Sequence, residues 1–68
     1  GTNEVEGTAD ICFITEESLI VVMARLNKKG VHIILGPVPR TGSLGSMTSV
    51  YFRDPEGSLL EIAAYNEK

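Results

Sequence analysis

The segment Asp54-Pro55-Glu56-Gly57 constrains this chain more than any other. Proline presets φ at the second position of a β-turn and glycine fits the fourth, so these residues predict a tight reversal. The sequence on either side suits strands. Ser49 to Arg53 leads in; Leu59 to Tyr65 leads out, with Leu59, Glu61, Ala63 and Tyr65 on one face and Leu60, Ile62 and Ala64 on the other. A hairpin therefore occupies the last third of the chain.

Upstream, Ala9 to Ile14 alternates as a strand, with Asp10, Cys12 and Ile14 on one face and Ile11 and Phe13 on the other. Thr15 is placed to cap a helix whose first turn holds Glu16 and Glu17 and whose last turn holds Lys28 and Lys29, both matching the helix dipole. Gly30 is the expected stop. Leu19, Val22, Met23 and Leu26 recur at helical spacing and form an apolar stripe suited to lie on a sheet, with Val21 off it. Val31 to Leu35 is rich in β-branched residues and predicts a second strand, ended by Gly36 and Pro37, with Pro39 removing a further donor. Arg40 to Ser46, carrying two glycines, two serines and a threonine, predicts a mobile loop placed as a lid. The order is βαβββ: an α+β module with one helix on the outer face of a mixed, cupped four-stranded sheet.

With 68 residues, the chain forms one small unit with a marginal core. Its 43% hydrophobic and 22% charged residues are those of a globular domain, so association with a partner surface is expected. Residues 1–8 suit a linker, and 9–68 the module, expected to be part of a longer two-module domain. A formal charge of -3 with scattered Lys and Arg gives no footprint for nucleic acid. No apolar run approaches a bilayer span, so no membrane partner is expected. Cys12 is alone and suits a reducing compartment, which makes a cytoplasmic location the expectation.

The run Ser49-Val50-Tyr51-Phe52-Arg53-Asp54-Pro55-Glu56-Gly57-Ser58-Leu59-Leu60-Glu61-Ile62 resembles the final hairpin of the glyoxalase/bleomycin-resistance/dioxygenase, or vicinal-oxygen-chelate, superfamily. Asp10 to Ile14, the helix, Val31 to Pro37 and the Gly42/Gly45 segment follow in that family's order. The resemblance is closest to small lactoylglutathione-lyase-like proteins. It implies a C-terminal βαβββ module that joins a second module, upstream in the same chain or as a second copy in a homodimer, around a divalent metal that binds neighbouring oxygens of a small-molecule substrate.

By the same resemblance Glu61 matches the metal-ligand glutamate, and a carboxylate between Leu60 and Ile62 is costly to bury unless paired or metal-bound. Asp10 stands where relatives often carry a histidine ligand; it is either a hard-ion ligand or a solvated residue at the start of a strand. Tyr51 matches a cavity-facing position, sharing a face with Ser49 and Arg53, either to hydrogen-bond substrate or to fill the sheet face. Arg40 is placed to hold an anionic substrate, with a solvated arginine as the alternative. The site set is therefore Glu61 and Tyr51 as catalytic groups, Tyr51, Arg40 and Ser49 as substrate contacts, and Glu61 and Asp10 as metal ligands. Cys12 is expected to be a small buried residue and His32 a surface or packing histidine. Mg, Mn, Ni, Zn and Fe all remain open as the metal, as does none in this module alone. Three functions compete: a metal-dependent lyase or isomerase, a metal-free sequestration protein of the bleomycin-resistance type, and a dimerisation module without chemistry.

Overall fold

The computed structural model describes residues 9–66. The linker expected over 1–8 lies outside the described residues. The elements run β1 (Ile11–Ile14), α1 (Leu19–Lys28), β2 (Ile33–Gly42), β3 (Gly45–Arg53) and β4 (Leu59–Tyr65). This is the α+β order βαβββ. The sheet order is β1-β4-β3-β2, with β1 parallel to β4 and the other neighbours antiparallel, so β1 and β2 are the edges.

The helix begins three residues later than the Thr15 cap predicts. Ser18 is the N-cap, in extended backbone, and its hydroxyl accepts from Ile20 N at 3.2 Å. Thr15 instead turns the chain locally, its Oγ1 accepting from Glu17 N at 3.0 Å. Glu16 and Glu17 therefore precede the first turn, and Glu17 makes a two-pronged exposed pair with Arg25 at 2.9 and 2.8 Å. That guanidinium holds the Glu17 carboxyl below its ordinary value, by hydrogen bonding first and by charge second. The stop is as expected. Gly30 has φ +82°, Val31 N donates to Leu26 O and Gly30 N to Asn27 O, which closes the helix with a left-handed glycine.

Val22 is buried and Leu19, Met23 and Leu26 are half-buried, so the apolar stripe faces the sheet, while Val21 is exposed. It packs chiefly on β2 and β3. Val50 and Phe52 are buried with it.

Two expectations for the middle of the chain are corrected. Strand pairing continues past Gly36 and Pro37 to Gly42, with register shifts between Ile33 and Leu35 and between Leu35 and Val38. An edge strand needs only one row of donors, so Pro37 and Pro39 are tolerated where a central strand would exclude them. Gly36 makes the close approach possible: its φ is +115°, and a Cβ there would stand 2.6 Å from Ser49 O and 2.9 Å from Val50 Cα. The predicted lid over Arg40 to Ser46 is absent. Arg40, Thr41 and Gly42 belong to β2, Gly45 and Ser46 to β3, and Gly42 pairs with Gly45 across the two-residue turn Ser43-Leu44.

The downstream turn matches its prediction. Gly57 N donates to Asp54 O at 2.9 Å, and Asp54 Oδ1 accepts from Glu56 N and Ser58 N at 3.0 and 2.8 Å.

Candidate functional site

Strand parity gives the sheet two unlike faces. Thr48, Val50 and Phe52 of β3 lie on the helix side; Met47, Ser49, Tyr51 and Arg53 lie on the other. On this helix-free face the register aligns a row across all four strands: Cys12 on β1, Glu61 on β4, Tyr51 on β3 and Leu35 on β2. The adjacent row holds Ile14, Ala63, Ser49 and Val38. Glu61 thus sits at the middle of the face, half-buried, with a thiol on one side and a phenol on the other.

Cys12 is exposed, contrary to the buried position its size suggests, because β1 is an edge strand with an uncovered outer side. The β1–β4 register sets its thiol beside Glu61. Desolvation raises the thiol above its ordinary value, and the neighbouring Glu61 carboxylate raises it further. His32 is exposed, as expected.

Tyr51 and Arg40 form the second unit. Arg40 stands opposite Met47, and its side chain runs back along the sheet so that Nε donates to Tyr51 Oη at 3.0 Å with Cζ 5.5 Å from the ring centroid. Nη1 donates to Pro39 O at 2.8 Å. Since a guanidinium only donates, the phenol oxygen must accept here, and its own hydrogen points away from Arg40. Tyr51 is 1% exposed and Ser49 0% exposed. Both lie beneath the surface of the face, whereas Arg40 and Glu61 are partly exposed. The Ser49 hydroxyl has no hydrogen-bond partner among the described residues.

Asp10, just ahead of β1, has a structural tie. Its Oδ2 accepts from Leu59 N at 3.0 Å while its own N donates to Leu59 O at 2.8 Å, which fixes the start of the β1–β4 pairing. Among the described residues no three His, Cys, Asp or Glu side chains converge as metal ligands. A catalytic metal of the zinc type takes about three protein ligands, so this module by itself offers an incomplete set. Glu61 is the accessible carboxylate at the centre; further ligands would have to come from a second module.

The Cys12–Glu61 contact was not singled out from the sequence. Shared parity with Asp10 placed Cys12 on the right face, but the parallel β1–β4 register that brings it to Glu61 joins segments far apart in the chain.

Comparison with known proteins places this architecture. An integron cassette protein from the mobile metagenome of V. cholerae has the same fold with a TM-score of 0.78 and 50% identity, covering 88% of this chain and 47% of that one. The crystal structure of virulence protein STM3117 from Salmonella typhimurium matches with a TM-score of 0.78 and 45% identity, covering 88% of this chain and 48% of that one. In sequence the same virulence protein is 46% identical over 59 residues, 87% of this chain and 41% of its own length. Glyoxalase domain-containing protein RDO1 of Mycosarcoma maydis is 36% identical over 61 residues, 90% of this chain and 35% of its own length. The chain spans less than half the length of each of these proteins. No protein-family profile matches it.

Proposed function

We propose that this chain is one module of a glyoxalase-type protein, and that Glu61 is its contribution to a metal-centred site on the helix-free face, acting on a small oxygen-chelating substrate in a lyase or isomerase reaction. The observation that carries this is the position of Glu61: half-buried at the centre of a face, flanked in one row by Cys12 and Tyr51. Similarity to a protein named for its glyoxalase domain supports the same assignment.

Among the described residues the module's own ligand set is incomplete, and Glu61 would hold the metal together with ligands from a second module. Glu61 is the group suited to accept a proton from a carbon beside a carbonyl, the role a positioned carboxylate plays in such isomerisations. Arg40 adds positive charge to the β2–β3 side, and buried Tyr51 holds it there. The second module, in the same chain or as a second copy, meets this one at the β1 edge, where Ile11, Cys12, Phe13 and Ile14 are all exposed. An edge strand of this kind presents unpaired backbone groups to a partner. A sequestration protein of the bleomycin-resistance type is the second reading, favoured by one observation: the Asp10 carboxylate is already engaged by Leu59 N.

Calorimetric titration with Mn²⁺, Mg²⁺, Ni²⁺ and Zn²⁺ tests the proposal, comparing the chain alone, the chain joined to a second βαβββ module, and the joined protein with Glu61→Gln. Saturable binding in the joined protein that Glu61→Gln abolishes is expected. Binding indifferent to Glu61→Gln, or no binding in the joined protein, refutes the metal-centred assignment in favour of sequestration.

A further inference from the structure

We infer that Cys12 is a second metal ligand of this module, so that the Glu61 site pairs a thiolate with a carboxylate and selects zinc and cobalt over magnesium. The inference rests on the Glu61 reading above and adds to it which other side chain of this chain meets the ion. The family resemblance points instead to Asp10, two residues earlier. That carboxylate accepts from Leu59 N at 3.0 Å and holds the start of the β1–β4 pairing. Cys12 lies on the helix-free face of β1, and the parallel register pairs it directly with Glu61. Cys12 is exposed and Glu61 half-buried, so both are open to an ion arriving from that face.

The spacing suits one shared ion. Zinc takes a thiolate sulfur at about 2.3 Å and a carboxylate oxygen at about 2.1 Å, which in a tetrahedral site sets the two donors about 3.6 Å apart. Neighbouring strands lie about 4.8 Å apart, and side chains rising from register partners on one face close that difference by leaning together. Charge favours the same arrangement. A thiolate beside a carboxylate is repelled, and Glu61 adds to the shift that keeps the thiol protonated. A dication between them replaces the thiol proton, which passes to solvent, and converts the repulsion into attraction. Because β1 is a sheet edge, the one at which the second module is proposed to join, an ion on Cys12 and Glu61 sits where the remaining ligands arrive. Sulfur then decides the metal, since magnesium takes oxygen donors and a thiolate favours zinc and cobalt.

The test titrates Co²⁺ into the full chain joined to a cysteine-free second βαβββ module and reads absorbance. Thiolate ligation gives cobalt an intense near-ultraviolet charge-transfer band, while coordination by any protein ligands gives weaker visible bands. Both are expected. Cys12→Ser should keep the visible bands, lose the near-ultraviolet band and weaken Zn²⁺ in competition by about tenfold or more, at least what loss of an outer-shell partner costs. Excess Mg²⁺ should displace cobalt from Cys12→Ser and leave it in place otherwise. Cys12 is exposed, so Cys12→Ser folds, which circular dichroism verifies. Visible bands without the near-ultraviolet band overturn the inference and leave the Glu61 reading standing, provided that Glu61→Gln abolishes them. A near-ultraviolet band that survives Cys12→Ser, or equal zinc affinity in that variant, overturns the inference as well. Absence of every cobalt band overturns both.

Discussion

Cys12 and Glu61 are register partners across the parallel β1–β4 pair, which sets thiol beside carboxylate on the helix-free face. Desolvation raises the thiol, and the neighbouring Glu61 carboxylate adds to that shift. Replacing Glu61 with Gln removes the charge, lowers the thiol back toward its ordinary value and increases the thiolate fraction at pH 8. Alkylation of Cys12 by iodoacetamide should accelerate in Glu61→Gln, and only in part, since desolvation remains. An unchanged rate would separate the two groups. The sign for stability follows: a thiol raised on folding stabilises the fold below the ordinary thiol value, and that contribution is lost as pH rises through the folded-state value.

Gly36→Ala should destabilise the chain by about 2–3 kcal/mol, from strain at positive φ added to collision with backbone atoms of Ser49 and Val50. Gly57→Ala is the control, with φ +91° and open space around the new methyl. It should cost about 1 kcal/mol. Urea denaturation of the two variants compares them directly, and equal costs would contradict the close approach of β2 to β3.

Arg40 and Tyr51 should be coupled. Tyr51→Phe deletes the acceptor of the Arg40 Nε bond and should cost about 1–2 kcal/mol. In a double-mutant cycle with Arg40→Met the interaction energy should be about 1 kcal/mol; additivity would mean the contact carries no energy.

Ser18→Ala should lower stability by about 1 kcal/mol through loss of the N-cap. Thr15→Ala, which removes only a turn contact ahead of the helix, should cost less. The reverse order in thermal melts would restore the cap to Thr15.

What was legible in the sequence was local. The Asp54 to Gly57 turn, the parity that puts Glu61 with Ala63 and Tyr65, the α1 stripe and its glycine stop all follow from rules acting over a few residues. The misses concern competition and context. Thr15 and Ser18 both offer a capping hydroxyl, and only the chain's path shows that Thr15 is spent on Glu17 N. Gly36 and Pro37 look like strand breakers until the sheet order makes β2 an edge. The exposure of Cys12 follows from β1 being the other edge. At the candidate site, parity put Ser49 and Tyr51 on one face, yet their burial and the Arg40 contact depend on β2–β3 packing that no short pattern encodes.

The central claim is that Glu61 marks the site. Mn²⁺-induced line broadening in ¹H–¹⁵N spectra, recorded on the chain joined to a second βαβββ module, tests it most directly. Broadening centred on Cys12, Glu61 and Tyr51 and abolished by Glu61→Gln is the predicted result. Broadening centred on the acidic Asp54–Glu56 turn, or no broadening at all, would contradict the account.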